Sequence, residues 1–229
     1  GDRIDQPARV LSALVFQGNW DIQSPVTYLQ TVERVRPDVV MLDLALMQRP
    51  WYFKQEQRRH PQVFAGSERE IATFQKAVVP FESGTPYDGA QIEAAYVGMI
   101  NRIIENNYRS RPVYIRDTRN VGHPDVAVEF PTFPGGYFLR IRDKREEEPM
   151  LNADRLLNSK REFDEREQYL LRQAAIAAAM QGSFARDLLD TTRLREAARQ
   201  ASRLAPDDPA IQRFLLQVKP FLSDTTTAQ

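Results

Sequence analysis

Blocks of apolar and polar residues alternate along this chain and read as an α/β unit followed by helices. Val10 to Phe16 is a short apolar run ending in Gln17-Gly18-Asn19, the pattern of a buried strand and then a turn. Ser24-Pro25 then opens a helix, with Ser24 able to cap free N–H groups and Pro25 suited to the first helical position. Tyr28, Leu29, Val32 and Val35 recur on one face at helical spacing, and Pro37 stops the helix. Val39 to Leu46, rich in branched residues, predicts a second buried strand. Strand, helix and strand in this order pack most simply as a parallel pair joined by a crossover.

Pro50-Trp51-Tyr52 starts another short helix, whereas residues 61–90, with Pro61, Pro80, Pro86 and several glycines, show no clear period. Gln91 to Asn107 predicts an amphipathic helix with Ile92, Ala95, Tyr96, Met99, Ile100 and Ile103 on its apolar side. Arg111 to Arg116 reads as a strand. Val126–Phe130 and Tyr137–Ile141 flank a Pro- and Gly-containing stretch ending in Gly135-Gly136, which predicts a hairpin. The charge run from Asp143 to Pro149 is a solvated connector.

Beyond that connector the pattern is helical, over roughly 160–181, 184–204 and 208–222. Gly182 separates the first pair, and Pro206-Asp207-Asp208-Pro209 the second, with Asp207 or Asp208 as cap. The Ala174–Met180 patch is a close helix-packing face. The expected fold is therefore α/β: a mostly parallel open sheet with flanking helices and a C-terminal hairpin strand pair, then an all-α tail. The expected domains are a Rossmann-like unit over 1–145 and a helical tail over 150–223 that packs on it. The residues after Leu222 read as a frayed end.

Composition narrows function mainly by exclusion. The 229 residues are 42% hydrophobic and 27% charged, ordinary for a globular protein. Thirty-one basic residues balance thirty-one acidic ones, so a nucleic-acid or anionic-lipid partner is not favoured. With no cysteine and two histidines, His60 and His123, thiol chemistry and a His-rich zinc site are excluded; no metal and no cofactor is expected. No apolar run approaches the roughly 20 residues needed to span a bilayer. The chain opens on Gly1 without a signal-peptide pattern and reads as a fragment of a larger protein.

The candidate site lies at the carboxyl ends of the strands, where open α/β sheets bind ligands. Asn19, Trp20 and Asp21 follow the first strand, and Asp117 with Thr118 follows the strand at Arg111–Arg116. Ser24 and the start of its helix bring N–H groups to the same edge, suiting an anion or a sugar hydroxyl. Trp20 is placed to stack on a sugar or peptide face, against the plainer reading of a capped turn with a packed tryptophan. Asp43, between Leu42 and Leu44, reads as an ion-pair partner for an arginine ahead of a catalytic group. Trp51 and Tyr52 read as packing anchors, His123 as a loop residue, and Gly135-Gly136 as a turn rather than a phosphate cradle.

Several short pieces occur in an order that carries a resemblance. They are Gly18-Asn19-Trp20-Asp21, Tyr28-Leu29-Gln30, Val35-Arg36-Pro37-Asp38-Val39, Leu44 with Leu46, and Pro50-Trp51-Tyr52, followed by Arg111-Pro112-Val113-Tyr114 and Gly136-Tyr137-Phe138-Leu139-Arg140. Over roughly residues 13–142 the chain resembles the soluble C-terminal region of a bacterial domain-of-unknown-function family. Those proteins are polytopic and protein O-mannosyltransferase-like glycosyltransferases. The family places more acidic residues in the first motif, where this chain has Asp21 alone. In the tail, Ala197-Ala198, Ala201 and Leu204-Ala205-Pro206-Asp207-Asp208-Pro209 resemble the joint between tetratricopeptide helical hairpins, for about one repeat.

The resemblance implies an extracytoplasmic, periplasmic domain tethered to a membrane by segments outside these residues, with the parent's catalytic acid elsewhere. The function expected first is an accessory or acceptor-binding domain for a glycan or polypeptide. An independent interaction module using the tetratricopeptide-like surface is the second reading. A small carbohydrate- or phosphate-acting enzyme using Asp21, Asp43 and Asp117 is the third, and needs those carboxyl groups within about 5–10 Å of one another.

Overall fold

A computed structural model describes residues 13–116, 124–144, 150, 152–157 and 162–223. The chain divides into two compact units, Gly1–Thr132 with Arg140–Lys144, and Phe133–Leu139 with Arg145–Gln229. The expected fold class is the observed one: a five-stranded mixed sheet with flanking helices, then helices alone.

The sheet runs in the order β2-β1-β3-β5-β4, with β1 Leu14–Gln17, β2 Val40–Asp43, β3 Val113–Ile115, β4 Thr132–Gly135 and β5 Phe138–Ile141. β1 pairs in parallel with β2 (Leu14 opposite Val40, Gln17 opposite Asp43) and with β3 (Leu14 opposite Val113). All four β1 residues are buried, as a parallel strand flanked on both sides requires. β2 sits on one side of β1 and β3 on the other, so the chain reverses its strand order at β1, the topological switch point of such sheets.

The hairpin is displaced from its expected place. Val126–Phe130 is a turn, not a strand: Val126 and Ala127 are buried, Ala127 has φ +63°, and its N–H donates to Asn101 Oδ1 at 2.9 Å. A residue in the left-handed region cannot continue a ladder, so the pairing passes to Thr132–Gly135, and Gly136 (φ +66°) with Tyr137 forms the turn into β5.

Helix α1 spans Trp20–Thr31, so it begins ahead of Ser24-Pro25 and ends ahead of Pro37. Asn19 is the effective cap, its side chain accepting from the Asp21 N–H at 2.8 Å, which leaves Pro25 inside the helix. Arg34 and Arg36, at φ +59° and +48°, turn the chain back before the proline is reached. Gln30 Nε2 bridges this turn by donating to the Arg36 and Val39 carbonyls at 3.1 and 2.8 Å. α1 buries no residue, and the expected core face of Tyr28, Leu29, Val32 and Val35 is exposed.

β2 stops at Asp43, short of Leu46, because the Asp43 carboxylate accepts the N–H groups of Ala45 and Leu46 and turns the chain into a 3-10 segment, Leu46–Gln48. α2 (Pro50–Arg59) then starts on its proline as expected. Residues 61–90 hold α3 (Pro61–Phe64) and α4 (Glu68–Glu82), with Pro80 in the last turn of α4. α5 (Gly89–Asn107) is capped by Asp88 and buries Tyr96, Met99, Ile100 and Ile103 of the predicted face together with Ile104, whereas Ile92 and Ala95 of that face are half-buried. With Phe53, Phe64 and Phe74 these side chains make the core of the first unit.

In the second unit, α6 is Ala153–Leu157, α7 Glu165–Asp187, α8 Thr191–Leu204 and α9 Pro209–Ser223. Asp164 and Glu167 form a reciprocal capping box at the start of α7. Gly182 lies inside α7 rather than after it: a Cβ there would come 2.5 Å from Phe214 Cζ, so the glycine marks a close approach of α9. The break falls at Leu188–Asp190 instead, where Leu189 takes φ +58° and Asp190 caps α8. Asp208 caps α9 as expected, accepting from Ala210 and Ile211 N–H. Alanines 174, 175 and 178 pack with Leu194, Ala198, Ala201, Ile211 and Phe214 in one apolar cluster.

Candidate functional site

Four of the five candidate residues, Asn19, Trp20, Asp21 and Ser24, lie together at the carboxyl edge of β1 on the first turns of α1; Asp117 lies outside the described residues, as does His123. The edge is organised by Gln17, a polar side chain with no solvent exposure at the end of an apolar strand. Its Oε1 accepts the Asn19 N–H at 2.5 Å, and its Nε2 donates to Gln23 Oε1 and lies 3.5 Å from Asp43 Oδ2. Buried amides need such partners, so Gln17 fixes the loop from β1 into α1 against the end of β2.

Satisfaction of these groups changes the chemistry available. The N–H groups of Asp21, Ile22 and Gln23 all bond Asn19, through its side chain or carbonyl. Ser24 is a helical residue and caps nothing, so the expected anion cradle around it is not formed; a nearer cap on the strand side has taken its place. Trp20, by contrast, stands out at 66% exposed. Trp20, Ser24 and Tyr28 follow at four-residue intervals on one helix face, and Tyr28 is 54% exposed. The helical rise sets positions 20 and 28 about 12 Å apart along the axis of α1, with Ser24 and Thr27 between them.

Among the described residues Asp43 has no arginine partner: Oδ1 holds the Ala45 and Leu46 N–H groups at 2.9 and 3.0 Å, and Oδ2 faces Gln17. Its own N–H donates to Tyr52 Oη at 3.1 Å. Burial pushes the Tyr52 hydroxyl up to about 12, so it keeps its proton and remains a structural post. Tyr52 is therefore the packing anchor, whereas Trp51, one residue before it, is 60% exposed. Gln17 and Gln23 are not singled out by the sequence as site residues; the one available signal is a glutamine terminating an otherwise apolar strand.

Away from this edge, Glu56 is buried on α2, 3.3 Å from Arg59 Nη1 and 3.8 Å from His60 Nε2. Desolvation raises the Glu56 carboxyl and lowers His60. Among the described residues no three His, Cys, Asp or Glu side chains are grouped to hold a metal ion, and no helix is long and apolar enough to cross a membrane. No protein-family model, curated protein or solved structure matches this chain.

Proposed function

We propose that this chain is the acceptor-binding, accessory domain of a membrane glycosyltransferase-like protein, presented on the extracytoplasmic side and not itself carrying the catalytic centre. The observation that carries the binding role is the pairing of Trp20 and Tyr28, both more than half exposed, on one face of α1 at the switch-point edge of the sheet. A spacing of about 12 Å matches roughly four residues of an extended peptide. Stacking on aromatic rings with hydroxyls between them also suits the apolar face of a sugar. The order of short motifs over residues 13–142 supports the membrane-protein setting. A non-catalytic role accords with Asp43, whose carboxylate is committed to backbone N–H groups and Gln17.

The test uses the two tryptophans, Trp20 and Trp51. In a Trp51→Phe variant, Trp20 is the sole indole and reports directly on the site. Titration with mannose oligosaccharides and with Ser/Thr-rich peptides should quench and blue-shift its emission, and Trp20→Ala with Tyr28→Ala should abolish binding measured by calorimetry. Binding unaltered by both alanine variants, or absent for every ligand, would remove the proposal. A parent reading frame without hydrophobic spans would remove its membrane setting.

A further inference from the structure

The first unit also contains a concave site that shares no residue with the α1 face. It is a pocket of about 180 Å³ between α4, α5 and the segment that follows β2. Its floor is apolar: Phe74 and Tyr96 are 1% exposed and stack edge-to-face at 5.6 Å, with Val78 and Ile92 beside them. The Tyr96 hydroxyl donates to the Leu44 carbonyl at 2.5 Å, so the floor is tied to the end of β2. The lip is a second edge-to-face pair, Phe81 and Tyr87 at 5.1 Å, exposed by 45% and 55%. An apolar cavity of about 150 Å³ accommodates a benzene-sized body, so this one has room for a ring or a branched aliphatic group.

Two opposite charges line the same pocket. Arg49 precedes α2, is exposed, and its side chain makes no hydrogen bond or ion pair to any described residue. Glu93, on the first turns of α5, is half-buried on the wall. A ligand bearing only an anion would meet Arg49 but be opposed by Glu93; one bearing only a cation would be opposed by Arg49. A carboxylate has room for several donors, so Glu93 can accept an ammonium in addition to its present contacts.

We propose that this pocket binds a free amino acid with an aromatic or branched side chain, the side chain in the Phe74–Val78–Tyr96 bowl, its carboxylate at Arg49 and its ammonium at Glu93. The chemistry is that of a few converging polar groups orienting a ligand whose apolar body supplies most of the burial.

The experiment is a titration of the whole chain with phenylalanine and leucine, followed by calorimetry and by NMR of the Val78 and Ile92 methyl groups. Phenylacetate, phenethylamine and toluene serve as probes lacking one or both charges. Phenylalanine should bind more tightly than all three, with shifts confined to the lining methyls. Arg49→Ala should weaken it by about tenfold, the loss of one charge-assisted hydrogen bond. Glu93→Gln should weaken phenylalanine while leaving phenylacetate unchanged or improved, and Trp20→Ala should leave both untouched. Arg49 is exposed, so its variant reads binding without disturbing the core. No methyl shift with any probe, or phenylacetate binding as tightly as phenylalanine, would overturn the proposal.

Discussion

Gln17 and Asp43 are register partners at the carboxyl ends of β1 and β2, and the Gln17 side chain reaches both the Asp43 carboxylate and the Asn19 N–H. One buried amide therefore couples the second strand to the start of α1. Gln17→Ala would leave the Asn19 N–H without its acceptor in a part-buried setting, at a cost of about 1 kcal/mol. Urea unfolding should show the lower midpoint. Gln17→Glu, which places a second carboxylate against Asp43, should be worse at pH 7 than at pH 4.

The Tyr96 hydroxyl bonds the Leu44 carbonyl inside the core. Tyr96→Phe keeps the ring against Phe74 and removes only this donor, so a loss of roughly 0.5–1.5 kcal/mol is expected. An unchanged melting temperature would show that the bond contributes nothing net.

Two helical glycines should answer oppositely to alanine. At Gly182 the new Cβ meets Phe214 at 2.5 Å and Ala197 at 3.0 Å, so Gly182→Ala should destabilise the second unit by about 1–3 kcal/mol. At Gly98, in α5, nothing lies within 4 Å, and Gly98→Ala should stabilise by about 0.5–1 kcal/mol through helix propensity. Paired denaturation curves test both signs.

The two units should also differ in pH response. Asp208 accepts from Arg172 and from the first N–H groups of α9, and the Arg172 hydrogen bond holds its carboxyl below the usual range. A depressed folded value means stability that is full above the unfolded value of about 3.9 and lost as pH falls through the folded one. Asp208→Ala should cost about 1 kcal/mol at pH 7 from the lost cap, with the difference from the parent chain narrowing below about pH 4. Helicity followed against temperature at pH 7 and pH 3 measures it.

Glu56 carries the opposite sign. Desolvation raises its carboxyl, so the protonated form is the one folding favours, and its contribution is lost as pH rises above the unfolded value of about 4.3. Glu56→Gln should therefore match the parent chain near pH 4 and exceed it in melting temperature at pH 7. A variant less stable at pH 7 would mean that Arg59, 3.3 Å away, compensates the burial fully.

Features set within a few residues were legible in the chain. The 3.6-residue period of Gln91–Asn107, the proline opening α2, the Asp208 cap and the apolar runs of β1 and β2 each depend on neighbours one or two turns away. From them followed the α/β class, the parallel pairing and the position of Asn19, Trp20 and Asp21 at a strand end. Other features depended on partners far along the chain. Tyr28, Leu29, Val32 and Val35 have a helical apolar spacing yet stay exposed, because spacing states which residues share a face but not what covers it. Gly182 has the local character of a breaker, and only Phe214, thirty-two positions on, shows it to be a contact. Gln17 looked like the polar end of a strand until Asp43 and Asn19 were brought to it, and the pocket around Tyr96 combines residues from Gln48 to α5. Local periodicity and capping act through the backbone and are written in sequence order; burial and side-chain pairing act through space, and only the folded chain decides them.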